Sequence, residues 1–148
     1  MSERHDMRVL ITGVDADGRS SVVGEQVGLD PTPDGRFHFG LVHRTASAPP
    51  PSRPPGTADH MDVQVPPGIV QWIVVDYEPN AVQENHHTDT IDFNHVVQGT
   101  VDLVLDDGVH PLRAGDGVVV NGVDHAWTAG PEGCRLSVLF LGTPPRAD

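Results

Sequence analysis

The sequence predicts an all-β domain, either a sandwich or a barrel, and three observations lead to this fold class. β-branched segments such as residues 101–105 (VDLVL) and 117–120 (GVVV) are short, and Gly or Asp-Gly turns separate them. Predicted strands recur at spacings of about 8–12 residues. No segment shows a helical repeat over two turns. Together these features favour closely connected strands that pack around one core.

One domain is the simplest interpretation of a chain of 148 residues, since this length can bury roughly two-thirds of its unfolded surface. We place the domain core at about residues 36–142, preceded by N-terminal strands within residues 8–23. Residues 46–56 (ASAPPPSRPPG) cannot form a strand or helix, because proline removes backbone donors and fixes φ. They are expected to form an exposed loop.

Taken in order, short strands are predicted at residues 8–12 and 20–23. Residues 36–44 alternate, which predicts a half-buried strand with an apolar face that ends in His43. Residues 69–77 are the most strand-like segment of the amino-terminal half, and residues 78–84 are expected to be a turn region. Further strands are predicted at residues 91–98, 101–105, 109–112, 118–120, 125–128 and 134–141.

Composition limits the function classes. A net charge of −12 argues against nucleic acid and anionic membranes as partners. All nine basic residues are arginine, so lysine nucleophiles and Schiff bases are excluded. The single cysteine, Cys134, lies in an apolar run and is expected to be a buried core thiol. No charged leader and no apolar run of about 20 residues is present, so we expect a cytoplasmic protein.

The candidate site consists of titratable residues on the first and last strands of residues 85–127. His86, His87 and Asp92 lie at the entry and His125 at the exit, where these strands would face each other in a closed sheet. Imidazoles and a carboxylate suit a divalent transition metal (Fe, Zn, Mn or Ni) with open positions. The same groups could instead act as acid and base without metal. His86 and His87 point to opposite sides of an ideal strand, and both could ligate only across a bulge.

Alternation extends the site to neighbouring residues. With Asp92 inward, Asn94 also points inward and is a candidate catalytic or substrate contact, whereas His95 points outward. Trp127 should face the same way as His125 and is a candidate pocket wall. Three further residues are candidates: His43 for the pocket mouth, and either Trp72 or Tyr77 for a wall, since strict alternation does not allow both to point inward.

The stretch from residue 85 to 127 resembles the cupin family, in particular small single-domain bacterial cupins. The likeness rests on a segment of the form HxTDTxD, on Gly99, on the LDDG turn, and on LRAGD followed by His125-Ala126-Trp127. The usual glutamate of the first motif is replaced by Asp92, only one histidine fits the His-x-His pair, and Ala129 replaces the usual asparagine. The ligand set is therefore depleted.

The resemblance implies a double-stranded β-helix (a jelly-roll barrel), often homodimeric, with a metal or substrate site inside. It also favours His86 over His87 as the inward histidine. We expect a small-molecule enzyme that uses a divalent metal for lyase or isomerase chemistry: dehydration, decarboxylation or enolisation. An iron-dependent dioxygenase and a non-catalytic ligand-binding cupin are the alternatives.

Overall fold

The computed structural model describes residues 6–52 and 56–146, and within these ranges it contains strands but no helix. Residues 1–5, residues 53–55 of the proline-rich loop and the last two residues lie outside the described part. The strands are β1 (Asp6–Val14), β2 (Ser20–Gly28), β3 (Asp30–Pro31), β4 (His38–Phe39), β5 (Asp59–His60), β6 (Val70–Tyr77), β7 (Val82–His87), β8 (Thr90–Leu105), β9 (Gly108–Arg113), β10 (Gly117–Val120) and β11 (His125–Gly142).

Two long antiparallel strands, β8 and β11, organise the sheet. They pair with each other along nearly their whole length, from Ala126 opposite Val104 to Gly142 opposite Thr90. The register shifts between Ala129 and Cys134, which marks a bulge. Gly99 lies opposite this bulge with φ of 77°, and a side chain there would overlap the Gly133 carbonyl oxygen. The strands bend at this point.

Each half of the two long strands has different outer neighbours. The first half of β8 pairs with β10, which pairs in turn with β1, while the second half of β11 pairs with β6. The second half of β8 pairs with β9, and the first half of β11 pairs with β7. Long strands that pass from one set of partners to another close the sheet into the jelly-roll barrel of the predicted fold class.

The barrel interior is filled by alternating aliphatic residues, as the sequence pattern predicts. Leu10, Val96, Leu103, Val120 and Leu136 are all less than 2% exposed and belong to the main core cluster. A smaller cluster around Val9, Ile91 and Val119 packs on the outer face, between the first two strands and β10. The inner face of β6 contributes Ile73, Val75 and Tyr77 to the main core.

Three sequence predictions are corrected. The strand predicted at residues 36–44 is only the two-residue β4, and Phe37, Phe39 and Leu41 are 60%, 67% and 65% exposed. Alternation is a local property, but this segment pairs only with the two-residue β3 and so has no sheet to pack on. Part of the turn expected at residues 78–84 forms the start of β7. The strands predicted at 91–98 and 101–105 are one strand, as are those at 125–128 and 134–141.

Candidate functional site

A cavity of about 330 Å³ opens into the barrel and brings together residues from six parts of the chain. His86 comes from β7, Thr88 from the turn after it, Asp92 from β8, and His125 and Trp127 from β11. Further polar lining comes from Gln71 and Tyr77 of β6 and from Gln83 of β7. This volume is at the lower end of the range for small-molecule sites.

His86 and His125 are partners in the register of β7 and β11, so their rings meet inside the barrel. The ring centroids are 4.4 Å apart. Each ring directs Nδ1 at a backbone carbonyl, with Nδ1 of His86 2.7 Å from the Glu84 oxygen and Nδ1 of His125 2.8 Å from the Val123 oxygen. Because a carbonyl only accepts, Nδ1 carries the proton in both rings and donates it. The two Nε2 lone pairs are left for a ligand.

Burial keeps both rings neutral. The pKa of His125 is lowered to about 3, chiefly by desolvation and also by the neighbouring His86. Desolvation also lowers the pKa of His86, more than the hydrogen bond to the Glu84 carbonyl raises it. At neutral pH the pair therefore presents two hydrogen-bond acceptors and no positive charge.

Asp92 is a carboxyl group whose ionisation is opposed by its surroundings. It is 5% exposed, and desolvation raises its pKa to about 7, although hydrogen bonds from Thr90 and Thr88 act in the opposite direction. The Thr90 hydroxyl donates to Oδ1 of Asp92 and lies 2.7 Å from the Thr88 hydroxyl. A carboxyl group with this pKa can either donate or accept a proton at neutral pH.

Tyr77 and Gln83 are cavity residues that the sequence did not single out as a pair. The Tyr77 hydroxyl donates to Oε1 of Gln83 at 2.5 Å, and Nε2 of Gln83 lies 3.5 Å from the Met61 sulfur. Desolvation raises the pKa of Tyr77 to about 12, so the phenol is neutral. The sequence pattern that could have indicated Tyr77 is the alternation of β6, which places Ile73, Val75 and Tyr77 on one face.

His87 points away from the cavity into a second polar cluster, as strand alternation requires. Its Nδ1 lies 3.0 Å from the Ala58 carbonyl oxygen, and its ring packs on His60 at 5.2 Å between centroids. Nε2 of His60 is 3.1 Å from Asp89. The predicted choice of His86 as the inward histidine agrees with this placement. His87, proposed as a further metal ligand, is not a cavity residue.

The second cluster continues to a buried ion pair, and we call the whole group the clasp: Ala58, His60, His87, Asp89, Asp124 and Arg146. The Arg146 guanidinium donates to Asp124 at 2.8 Å, and these side chains are 3% and 4% exposed. The other Asp124 oxygen accepts from the backbone amides of Thr57 and Ala58. Burial opposes ionisation of Asp124, but these hydrogen bonds outweigh it and lower its pKa.

Three other predicted site residues lie elsewhere. Asn94 is inward and buried, but its amide donates to the backbone oxygens of Asp92 and Val118, both at 3.3 Å, and it does not line the cavity. Trp72 is 74% exposed and donates to Ser137, because β6 packs on the core with the face that carries Ile73, Val75 and Tyr77. His43 packs on Phe93 on the outer face of the barrel and lines a separate groove.

Other orientations agree with the sequence. Trp127 is 4% exposed and meets the His125 ring edge-on at 5.9 Å, so it forms a wall of the cavity. His95 is exposed on the outer face of β8, and Cys134 is buried. In the Asp-Gly turn, Asp106 accepts a hydrogen bond from the backbone amide of Ser20, and Asp107 accepts one from the backbone amide of Val22.

A metal centre of the predicted composition is not assembled by the residues that the structure describes. Among them, no group of three His, Cys, Asp or Glu side chains is arranged to hold a metal ion. The Asp92 carboxylate is engaged by threonine hydroxyls, and His87 faces the clasp. Two imidazole nitrogens remain, which is fewer than the three protein ligands typical of catalytic centres. The geometry does not fit the proposed set of His86, Asp92 and His125.

Fold and cavity together define a small β-barrel with a ligand-sized interior, and comparison with known proteins shows which family this part of the chain resembles. Residues 73–141 match the family model described as the cupin domain. A curated relative, phomopsin biosynthesis cluster protein C' of Diaporthe leptostromiformis, is 39% identical over 77 residues. The match covers 51% of this chain but only 37% of that relative's length.

Two solved structures are similar to about half of the chain. The polyketide cyclase RemF from Streptomyces resistomycificus is 23% identical with a TM-score of 0.45, covering 48% of this chain and 53% of RemF. A sugar phosphate isomerase of the cupin superfamily from Silicibacter pomeroyi is 26% identical with a TM-score of 0.45, covering 51% of this chain and 52% of that one. Separately, no helix in residues 6–52 and 56–146 is long and apolar enough to cross a membrane.

Proposed function

We propose that this cupin domain catalyses proton-transfer chemistry of the isomerase or lyase type on a small molecule, with Asp92, His86 and His125 as its catalytic residues. The observation that carries the proposal is the pairing of opposite proton affinities in one cavity. Asp92 has a pKa raised to about 7, while the His125 and His86 rings are neutral acceptors. Groups whose surroundings move their pKa values apart are suited to acid and base roles.

The simplest reaction that these groups support is the interconversion of an enol and a ketone. A substrate hydroxyl donates its proton to an Nε2 atom of the histidine pair as its oxygen becomes a carbonyl. The electron pair of the carbon–carbon double bond then takes the proton of Asp92 at carbon. The imidazolium and the carboxylate so formed exchange one proton, and both return to their starting states. In the reverse direction the Asp92 carboxylate abstracts the carbon-bound proton.

Elimination of water from a neighbouring position uses the same base and acid, with the Asp92 proton delivered to the leaving hydroxyl. Because the described residues do not form a metal-binding set, no step is assigned to a metal. Asp92 itself is 5% exposed, and its burial in a medium of low dielectric strengthens the electrostatic effect of proton transfer at this carboxyl group. General acid–base catalysis of this kind contributes about 10²–10⁴-fold in rate.

The experiment is deuterium exchange at the carbon next to a carbonyl, followed by proton NMR in D₂O for a panel of enolisable ketones and keto acids. Wild-type protein is expected to accelerate exchange in at least one panel member, and Asp92→Asn is expected to lose that acceleration. Elemental analysis of the same samples shows whether a metal accompanies the activity. Exchange that needs a stoichiometric metal, or that survives in Asp92→Asn, would contradict the proposal.

Three expectations from the sequence stay predictions. The single-domain boundaries, the homodimer and the cytoplasmic location are not addressed by the contacts within the described residues. The proposed partner is a small molecule alone, which agrees with the negative net charge and with the size of the cavity. The exchange assay would also reveal a non-catalytic cupin, since such a protein would bind panel members without exchanging their protons.

A further inference from the structure

The charge of the cavity lining distinguishes between classes of substrate. None of the arginines in the described part of the chain lines the cavity, and the protein has no lysine. The Arg146 guanidinium lies next to Asp124, the residue before His125, but it is paired with that carboxylate in the clasp. The cavity groups that can ionise are therefore two neutral imidazoles, a neutral phenol and Asp92.

Apart from the neutral side chains of Gln71, Gln83 and Thr88, the rest of the lining is apolar. Aliphatic and aromatic side chains come from β6 and β11, namely Ile73, Val75, Trp127, Val138 and Phe140, and Met61 and Val63 contribute from the segment before β6. This apolar surface is interrupted by the acceptor atoms of His86 and His125, by the carboxyl group of Asp92, and by these polar groups that carry no formal charge. A ligand that fills about 330 Å³ must bury most of its own surface against these walls.

We propose that the cavity takes an uncharged, largely apolar cyclic molecule that carries a hydroxyl or carbonyl oxygen, and that it rejects carboxylates and phosphates. This inference rests on the proposed function, because it names the substrate class of the same site. The ring system packs between Trp127, Phe140 and the β6 side chains. Its hydroxyl donates to the histidine pair.

An anion would be disfavoured in this position for two reasons. It would lose its hydration on entering an apolar cavity without gaining a cationic partner from the described residues. It would also face the Nε2 lone pairs of His86 and His125, and Asp92 whenever that group is ionised. A neutral molecule of the same shape loses far less hydration and gains the same apolar burial.

The experiment compares three probes that share one bicyclic ring: 2-naphthol, 2-naphthoate and 2-naphthyl phosphate. Dissociation constants are measured by isothermal titration calorimetry at neutral pH on the full chain. We expect 2-naphthol, an aromatic counterpart of an enol, to bind at least about tenfold more tightly than either anion. Equal or tighter binding of an anion, or no binding of 2-naphthol up to its solubility limit, would overturn the inference.

A charge-swap variant sharpens the comparison. Gln83→Arg introduces a cation into the lining, and Gln83→Met is its matched neutral control, since both lose the hydrogen bond to Tyr77. The arginine variant should reduce the preference for 2-naphthol over 2-naphthoate by at least about tenfold, while the methionine variant keeps it. An unchanged preference in a folded arginine variant would contradict the inference, and if that variant does not fold the wild-type comparison decides.

The same titrations separate this inference from the proposed function. Asp92→Asn should still bind 2-naphthol, because binding requires the cavity and the histidine pair and no proton transfer. If 2-naphthol binds selectively and no panel member exchanges protons, the catalytic proposal fails and the ligand class stands. If keto acids exchange protons and 2-naphthol does not bind, the ligand class fails and the catalytic proposal stands.

Discussion

Two polar clusters lie on opposite sides of β7, and they differ in how their charges are handled. The cavity cluster of His86, His125 and Asp92 is buried without a counterion, so its histidine pKa values fall and the pKa of its carboxyl group rises. The clasp, reached through the adjacent residue His87, holds Asp124 ionised against Arg146. His86 and His87 are adjacent in β7, yet His86 belongs to the uncharged cavity cluster and His87 belongs to the clasp, which contains the ion pair.

The difference shows that burial alone does not set the charge of a group. Asp92 and Asp124 are both 5% exposed, yet the pKa of one is raised and that of the other is lowered. Hydroxyl donors from Thr90 and Thr88 do not compensate for the lost hydration of Asp92, whereas a guanidinium and two backbone amides do so for Asp124. The clasp is suited to holding structure, and the cavity cluster to moving protons.

Removing the counterion should have the largest effect on stability. Arg146→Met leaves the buried Asp124 carboxylate unpaired, and we expect the free energy of unfolding to fall by about 3–5 kcal/mol. The measurement is urea denaturation at neutral pH. The matched control is Arg135→Met, which breaks an exposed ion pair with Asp76 whose side chains are 46% and 61% exposed. Similar losses in the two variants would contradict a structural role for the clasp.

Replacing Asp92 with a neutral residue should raise the free energy of unfolding, whereas removing Arg146 should lower it. Its pKa is raised from 3.8 to about 7 in the folded protein, so its contribution to stability is complete below the unfolded value and is lost as the pH rises through about 7. Asp92→Asn cannot ionise, and at pH near 8 it should be more stable than wild type by up to about 4 kcal/mol. Urea denaturation across this pH range tests the difference.

Glu84→Gln, on the exposed face of β7, is the control for that comparison and should follow the wild-type pH profile. A parallel profile for Asp92→Asn and wild type would show that Asp92 is already ionised in the folded state. The account of the cavity as an uncharged cluster would then be wrong.

Variants of His125 and His87 should differ in proton exchange, because one histidine lies in the cavity and the other in the clasp. His125→Gln removes one acceptor of the cavity pair and should slow proton exchange by about 10²-fold, which is at the lower end of general acid–base contributions. His87→Gln changes a clasp residue on the other side of the sheet and should leave the exchange rate close to that of wild type. Deuterium exchange by NMR on folded variants provides both rates, and equal losses would remove the distinction.

The smallest effect is expected outside both clusters. Trp72 is 74% exposed and makes one side-chain hydrogen bond, to Ser137, so Trp72→Phe should change the free energy of unfolding by less than about 1 kcal/mol. It leaves Trp127 as the sole tryptophan, and 2-naphthol should then quench its fluorescence. A loss of 2-naphthol affinity in this variant would place Trp72 at the binding site after all.

Much of the barrel could be predicted from the sequence because its signals are local. Period-two alternation placed Asp92 inward, His95 outward and Trp127 beside His125, and the turn glycines separated most of the strands. The resemblance to cupins selected His86 over His87. These predictions succeeded where a strand has neighbours on both sides, because packing then enforces the alternation.

The remaining features depend on partners that are distant in sequence. Residues 36–44 alternate but have no sheet to pack on, so Phe37 and Phe39 stay exposed. Alternation allows either Trp72 or Tyr77 to be on the inward face of β6. The packing of β6 on the barrel core places Tyr77 inward and Trp72 outward. The clasp joins Asp124 to Arg146 and to the amides of residues 57 and 58, a contact that no local pattern indicates.

The most direct test of the central claim is the titration of Asp92 and His125 in the folded protein. Carboxyl carbon shifts and imidazole proton–carbon shifts, recorded by NMR between acid and mildly alkaline pH, provide both curves. The account predicts a midpoint near 7 for Asp92 and no protonation of His125 until the pH approaches about 3. An Asp92 midpoint near 4 together with a His125 midpoint near 6.5 would contradict it.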